Sequence, residues 1–258
     1  MRRIITAAWL VPFGIYSIFF APSWLFVLAV CLLAVFCFRE FARIVENQGL
    51  ISFSLTGYVA GLALLTLPDI GWTSVALLPL LAFGLSLRVG DFKTGFASAG
   101  AFVLGILYIF GAWRCGIALH EKSHHWLFFA AALNWTGDVA AYYTGRAFGK
   151  HKLAPSISPG KTIEGALGGV LASVLFGCIY LPKVLPEVSL LGAALLSIIG
   201  NVAGQIGDLS ESALKRGANM KDSGTMLAGH GGWLDRLDSS LFSMPAIYWT
   251  LISYSRWH

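Results

Sequence analysis

The chain alternates between long apolar runs and short polar intervals. A helix needs about 20 apolar residues to cross a bilayer core at 1.5 Å per residue, with some latitude at each end. Nine windows meet that pattern, at roughly 4–20, 24–38, 50–67, 73–87, 96–112, 126–143, 165–181, 190–208 and 239–254. The second and fourth are short. Pro22, Pro68, Pro182 and Pro186 fall in the connections, where helix breakers belong. No internal repeat or low-complexity tract interrupts the pattern. The spacing predicts an all-α, polytopic integral membrane protein of about nine transmembrane helices, forming a single membrane domain over residues 1–258.

Composition strengthens this reading. Hydrophobic residues make up 57% of the chain, charged residues 12%, and the mean hydropathy is +0.72, outside the range of soluble domains. The net charge of +5 has a topological explanation, because membrane proteins collect Lys and Arg in cytoplasmic loops. With the N-terminus cytoplasmic, 14 of the 18 cations fall inside and Arg114, Lys122, Lys183 and Arg256 outside. No basic stripe is interleaved with aromatics, so nucleic-acid binding is excluded. Cys31, Cys37, Cys115 and Cys178 form no C-x-x-C pair and read as packing residues, not as a disulfide framework or zinc site. Met1-Arg2-Arg3 resembles the start of a signal peptide, but no small-residue cleavage site follows, so a retained first helix is expected.

The polar residues of the first half promise little chemistry. Arg39, Glu40, Arg43 and Glu46 suit pairing along a solvated helix face or contact with anionic headgroups. His120, Glu121, His124 and His125 read as a hydrated outer loop, and Asp69 and Asp91 as solvated span ends. The sixth window differs, because Asp138 lies inside it, and a carboxylate in hydrocarbon usually faces a polar cavity or partner. Asn134, Tyr142 and Arg146 continue its stripe one turn at a time towards the cytoplasmic loop 144–164. That loop carries Lys150, Lys152 and Lys161, and ends in Ser158-Pro159-Gly160-Lys161-Thr162. The Gly-Lys-Thr step is not a P-loop, because Pro155 stands at the required first glycine. Ser158, Lys161 and Thr162 still suit phosphate at a helix N-terminus. Ordinary capping by Ser158, Thr162 and Glu164 explains their positions about as well.

The densest chemistry lies at 209–238 and the residue before it. Residues 208–238 hold Asp208, Glu211, Asp222, Asp235 and Asp238, five of the 13 acids, interleaved with Lys215, Arg216, Lys221, His230 and Arg236. On a continuing helix Asp208, Glu211, Ser212 and Lys215 share a face. Gly200, Gly204 and Gly207 recur at intervals that let a neighbouring helix approach. A glycine cap explains Lys215 and Arg216 before Gly217, but not two acids at a helix end. Clustered carboxylates are costly unless cations bind, and hard divalent ions take carboxylates, water and phosphate oxygens. Asp208, Asp222, Asp235, Asp238 and Glu211 are the candidate metal carriers.

Residues 212–238 run S-x-x-K-R-x4-K-D-x-G-x4-G-H-G-G-x-x-D-R-x-D, from Ser212 through His230, Gly231 and Gly232 to Asp238. This segment resembles the C-terminal signature of the phosphatidate cytidylyltransferases, or CDP-diglyceride synthetases. The D-x-x-A-Y-x-x-G-R-x-F-G-K run from Asp138 to Lys150 and S-P-x-K-T-x-E-G from Ser158 to Gly165 are similar to the same family. Ala228 departs from it, standing where the family usually has proline. The resemblance implies transfer of CMP from CTP to phosphatidic acid, giving CDP-diacylglycerol and pyrophosphate, with Mg²⁺ required and a second cation left open. It implies an N-terminal helical region, 1–125, and a catalytic region, 126–258, in a bacterial inner membrane; the cation count puts the site on the cytoplasmic side. Partners would be CTP, phosphatidic acid and membrane lipids, with a homodimer left open. Asp208, Asp222, Asp235, Asp238, Lys221 and Arg236 would act at the reaction centre. Asp138, Arg146, Ser158, Lys161, Thr162, Lys215, Arg216, His230, Gly231 and Gly232 would bind substrate.

Three other activities use similar residues. A CTP-dependent polyprenol or phytol kinase would release CDP instead of pyrophosphate, and the signature speaks against it. A cation-coupled transporter would use Asp138 and the acidic cluster as an ion path, but the inverted repeat common to such folds is missing. The D-G-x2-A-R continuation of the CDP-alcohol phosphotransferases is also absent.

Overall fold

The computed structural model describes residues 12–68, 71–227, 229 and 231–255. After a helical stretch at 12–19 come α1 (Ser23–Asn47), α2 (Ser54–Thr66), α3 (Trp72–Ser86) and α4 (Phe92–Gly105). A π-helical turn, Ile106–Gly111, joins α4 to α5 (Ala112–Lys122), and α6 is His124–Phe148. A two-stranded antiparallel hairpin follows, β1 (Lys152–Ala154) and β2 (Ser158–Thr162), then α7 (Ile163–Val184), α8 (Leu190–Gly217) and α9 (Leu234–Ser255). Among the described residues the architecture is all-α apart from that hairpin.

Among the described residues four rods are long and apolar enough to cross a membrane: α1, the continuous rod Lys93–Lys122, α7 and α8; α2 and part of α3 are shorter apolar helices. The outer face of α7 shows why a bilayer suits it. Leu167, Leu171, Leu175 and Ile179 recur every fourth residue and are all exposed, a stripe that water would penalise and lipid would not.

Several helices outrun their apolar windows. The rod expected to end near 112 continues to Lys122, and α6 begins at His124, so His120, Glu121, His124 and His125 are helical. His120 is buried and its ring stacks on His124 at 4.2 Å. The expected outer loop shrinks to Ser123, whose hydroxyl oxygen accepts the His125 N–H and caps α6. Pro182 lies inside the last turn of α7 instead of in a connection, where a missing N–H costs only one bond of the ladder. Asp91 is exposed and caps α4 by accepting from Lys93 N. Asp69 lies outside the described residues.

The chain divides into two compact units. The first comprises residues up to Arg114 together with Leu214–Arg236, and the second Cys115–Ala213 with Leu237–His258. The first unit has an aromatic core in which Phe38 meets Tyr58 at 5.2 Å and Phe110, from the π turn, at 5.4 Å. Arg114 closes the end of α2 by donating to the Leu65 carbonyl at 2.9 Å. The second unit is built on the antiparallel pair α6–α7, where Ser173 Oγ donates to the Leu133 carbonyl at 3.0 Å. Helix α8 approaches α9 closely: a Cβ at Gly207 would stand 2.6 Å from the Asp238 carbonyl oxygen. That is the close helix approach the glycine spacing predicts.

Candidate active site

Within the first unit, α1 carries a carboxyl group that the sequence reading assigned to solvent. Glu40 is 0% exposed. Arg39, Arg43 and Glu46 do face outward, but Glu40 lies among the buried Cys37, Phe41 and Ile44 on the other face of α1. It accepts from Ser223 Oγ at 2.8 Å, Trp233 N at 3.1 Å and Leu234 N at 2.9 Å. These three donors meet the requirement that a buried carboxyl group be hydrogen-bonded. Local sequence does not disclose this burial, because Glu40's partners are as many as 194 residues away.

Beside Glu40 sits Asp235, in the first turn of α9. Lys215 Nζ donates to Asp235 Oδ1 at 2.5 Å, while Oδ2 accepts from Gly232 N at 2.8 Å and Ser223 N at 2.9 Å. Burial pushes the Asp235 carboxyl up, but the bond and charge of Lys215 and the Gly232 and Ser223 N–H groups outweigh it, holding it below the usual carboxylate value. Ser223 Oγ also lies 3.0 Å from Asp235 Oδ2. Its single hydrogen therefore serves two carboxyl groups.

The turn leading into α9 needs its glycines. Leu227 and Gly231 form an isolated antiparallel bridge, with Leu227 N donating to the Gly231 carbonyl at 3.0 Å. Gly231 has φ +79°, and a Cβ there would press on Asp235 Oδ2. At Gly232 a Cβ would run into the Glu40 carboxyl and Ser223 Oγ. Of the remaining candidates in this unit, Arg216, Lys221, Asp222 and Arg236 are exposed. Arg216 donates to the Met220 carbonyl at 3.0 Å. His230 and Ala228 lie outside the described residues.

The second unit forms its own charged pair. Lys161, on β2, reaches α8 and donates to Asp208 Oδ2 at 2.5 Å, and Ser212 Oγ lies 3.4 Å from Asp208 Oδ1. The hairpin is held against α7 by Glu164, which accepts from His151 N at 3.2 Å and pairs with His151 Nδ1 at 2.6 Å. Thr162 is buried, and its hydroxyl oxygen accepts from Gly165 N at 3.1 Å, capping α7. Ser158 is half-buried on the same strand. Glu211 is 0% exposed on α8, and Asp238 is buried with Oδ1 accepting from Ser239 N at 2.7 Å.

The polar stripe expected on α6 separates. Asn134 is buried and donates to Ser243 Oγ at 2.8 Å, whereas Asp138, Tyr142 and Arg146 are exposed. Steps of four residues drift around a helix of 3.6 residues per turn, so the stripe leaves the packed face. Asn201 and Gln205, which the sequence reading passed over, add to a polar layer between helices: Gln205 donates to Asn201 Oδ1 at 2.7 Å and to the Ala166 carbonyl at 3.0 Å. Their spacing of four, within the apolar part of α8, was the available signal.

Among the described residues no three His, Cys, Asp or Glu side chains converge as a metal group. The donor chemistry nevertheless suits a hard cation. Asp208 already faces one positive charge and is 31% exposed, so a carboxylate oxygen can turn to an incoming ion.

Known proteins resemble this chain in sequence. A sequence model of the cytidylyltransferase family matches residues 1–254. The phosphatidate cytidylyltransferase of Bacillus subtilis is 38% identical over 163 residues, 62% of this chain and 61% of that protein. Longer matches are to the phosphatidate cytidylyltransferases of Staphylococcus epidermidis, 35% identical over 86% of this chain and 87% of that protein, and Pseudomonas aeruginosa, 34% identical over 96% of each.

Proposed function

The chain belongs to the cytidylyltransferase family, and from that premise we propose that it transfers the cytidylyl group of CTP to phosphatidic acid. A phosphate oxygen of the lipid forms a bond to the α-phosphorus of CTP. The bond from that phosphorus to the bridging oxygen breaks, and pyrophosphate leaves with its electron pair. The products are CDP-diacylglycerol and pyrophosphate. The observation that carries the reading is the extent of the family match, residues 1–254, which takes in every candidate residue.

The charges suit this reaction. A phosphate monoester carries about −1.5 to −2 charges near neutral pH, so the nucleophile needs little help from a base. The barrier lies in bringing two polyanions together and in stabilising departing pyrophosphate. Lys161, Lys215, Arg216, Lys221 and Arg236 answer both needs as phosphate contacts. Lys161 rests on Asp208 in a half-exposed pair, from which it can turn to a phosphate oxygen. The candidate oxygen donors for Mg²⁺, which when bound offsets phosphate charge, are Asp208, Glu211 and Asp238 in the second unit and Asp222 and Asp235 in the first. The cation asymmetry of 14 against 4 supports nine spans with the N-terminus and the site on the cytoplasmic side. Bacterial relatives support an inner membrane.

The test is purified protein with MgCl₂, CTP and phosphatidic acid in mixed micelles. Formation of CDP-diacylglycerol and pyrophosphate is expected. Release of CDP with a phosphorylated alcohol, or ion flux in proteoliposomes without CTP turnover, would overturn the reading.

A further inference from the structure

We propose that Glu40 is a positioning residue of the transfer site, reaching from α1 to fix the loop between α8 and α9, whose two flanking helix ends carry the Lys215–Asp235 pair. The inference rests on the cytidylyltransferase reading and adds to it a residue outside the C-terminal signature.

The first four N–H groups of a helix have no partners within it, and a Ser, Thr, Asp or Asn at the N-cap usually supplies one. At the start of α9 that position holds Trp233, whose indole offers no acceptor. Glu40 takes over the task from a distant helix. Its two oxygens accept the Trp233 and Leu234 N–H groups. Phe36, one turn earlier on α1, stacks against Trp233 with ring centroids 6.1 Å apart. Helix α1 thus grips the start of α9 twice, once through a carboxyl group and once through a ring.

The grip extends into the loop before α9. Ser223 Oγ donates to Glu40 Oε2 and also lies within reach of Asp235 Oδ2, while Ser223 N donates to that same Asp235 oxygen. Gly224 and Gly232 both lie so close to Glu40 that a Cβ at either would press on its carboxyl group. Farther along α1, Gln48 Nε2 donates to the Leu214 carbonyl at 3.0 Å and Asn47 Nδ2 lies 3.0 Å from Met220 Sδ. Helix α1 therefore holds Leu214, Met220, Ser223 and Trp233, which bracket Lys215, Arg216, Lys221 and Asp222. A buried carboxyl group is costly in a wall that only needs to pack. Its arrangement here sets the direction of Asp235, and through it of Lys215. Glu40 is wholly buried and acts through those side chains without reaching substrate.

The experiment compares Glu40→Gln, Ser223→Ala and the double variant with the wild type. Turnover is expressed per folded molecule, with separate KM values for CTP and phosphatidic acid. Glutamine keeps the volume but sets an N–H₂ group against one of three donors. The expected result is a fall in kcat/KM for CTP of about tenfold or more, with the KM for phosphatidic acid unchanged and the double variant no worse than the poorer single variant. A merely structural Glu40 predicts full kcat/KM per folded molecule, and that result overturns the proposal. So do losses that multiply in the double variant. If Glu40→Gln gives no folded protein, Ser223→Ala still breaks the link to Asp235, and wild-type kcat/KM for CTP in that variant overturns the proposal. A wild type that makes no CDP-diacylglycerol would instead remove the functional reading itself.

Discussion

Lys215–Asp235 in the first unit and Lys161–Asp208 in the second both close to 2.5 Å, yet their surroundings differ. The side chains of the first pair are 9% and 5% exposed, and those of the second 28% and 31%. Equal distances do not mean equal energies. A half-exposed pair is screened by water and salt and contributes about 0–1 kcal/mol. A buried pair can add little net stability compared with an apolar replacement, but removing one member strands the other charge. The buried pair therefore suits holding a loop in one shape. The exposed pair suits a lysine that must change partners.

The sharpest way to break this comparison is Asp235→Ala, which leaves Lys215 buried without its carboxylate. A loss of about 3–5 kcal/mol is expected, read as a lower unfolding temperature in detergent together with loss of turnover. Replacing both members, Lys215→Met with Asp235→Leu, should recover the part of that loss due to the stranded charge but not the part due to the Gly232 and Ser223 N–H groups, and none of the activity. Recovery of activity would mean that the pair is scaffolding alone. Gly232→Ala comes next. Its new Cβ collides with the Glu40 carboxyl and Ser223 Oγ, and overpacking of this kind costs about 1–3 kcal/mol. An unchanged unfolding temperature would show that the loop yields easily around Glu40.

The two units also differ in how much the sequence disclosed. Apolar runs locate the helices in both, because burial in lipid or protein demands them. Helix ends were less legible: α1 runs on to Asn47 and α8 to Gly217 through polar residues that a hydropathy window excludes. Asp208, Lys161, Lys215 and Asp235 stood out as charges in or beside glycine-rich loops, yet their pairing across 47 and 20 residues is a property of the fold. Glu40 was hidden by its neighbours. Arg39, Arg43 and Glu46, spaced by four and three, make a polar face beside which Glu40 reads as one more solvated charge. The available clue was helical phase, since Glu40 sits between Cys37 and Ile44 on the apolar side.

In the second unit the hairpin that presents Lys161 is anchored by the Thr162 cap on α7. Thr162→Ala removes that cap at a cost of about 1 kcal/mol. If capping is its whole contribution, kcat/KM for CTP per folded molecule stays within twofold of wild type. A larger fall would give the hydroxyl a direct part in binding phosphate.

The smallest stability effect belongs to Asp208→Asn, and it separates the two pairs most cleanly. Lys161 remains 28% exposed, so water can take over the charge that Asp208 met, and the loss should stay under about 1 kcal/mol. Turnover should nonetheless fall by about 10²-fold or more, the size of effect seen when one charge-stabilising group leaves a preorganised site. Raised Mg²⁺ should restore part of the rate if Asp208 helps to hold the ion. Detergent unfolding and CDP-diacylglycerol formation measured on the same preparation decide the matter. Near-normal turnover in Asp208→Asn would reduce the exposed pair to a surface contact and leave the chemistry to the loop that Glu40 holds.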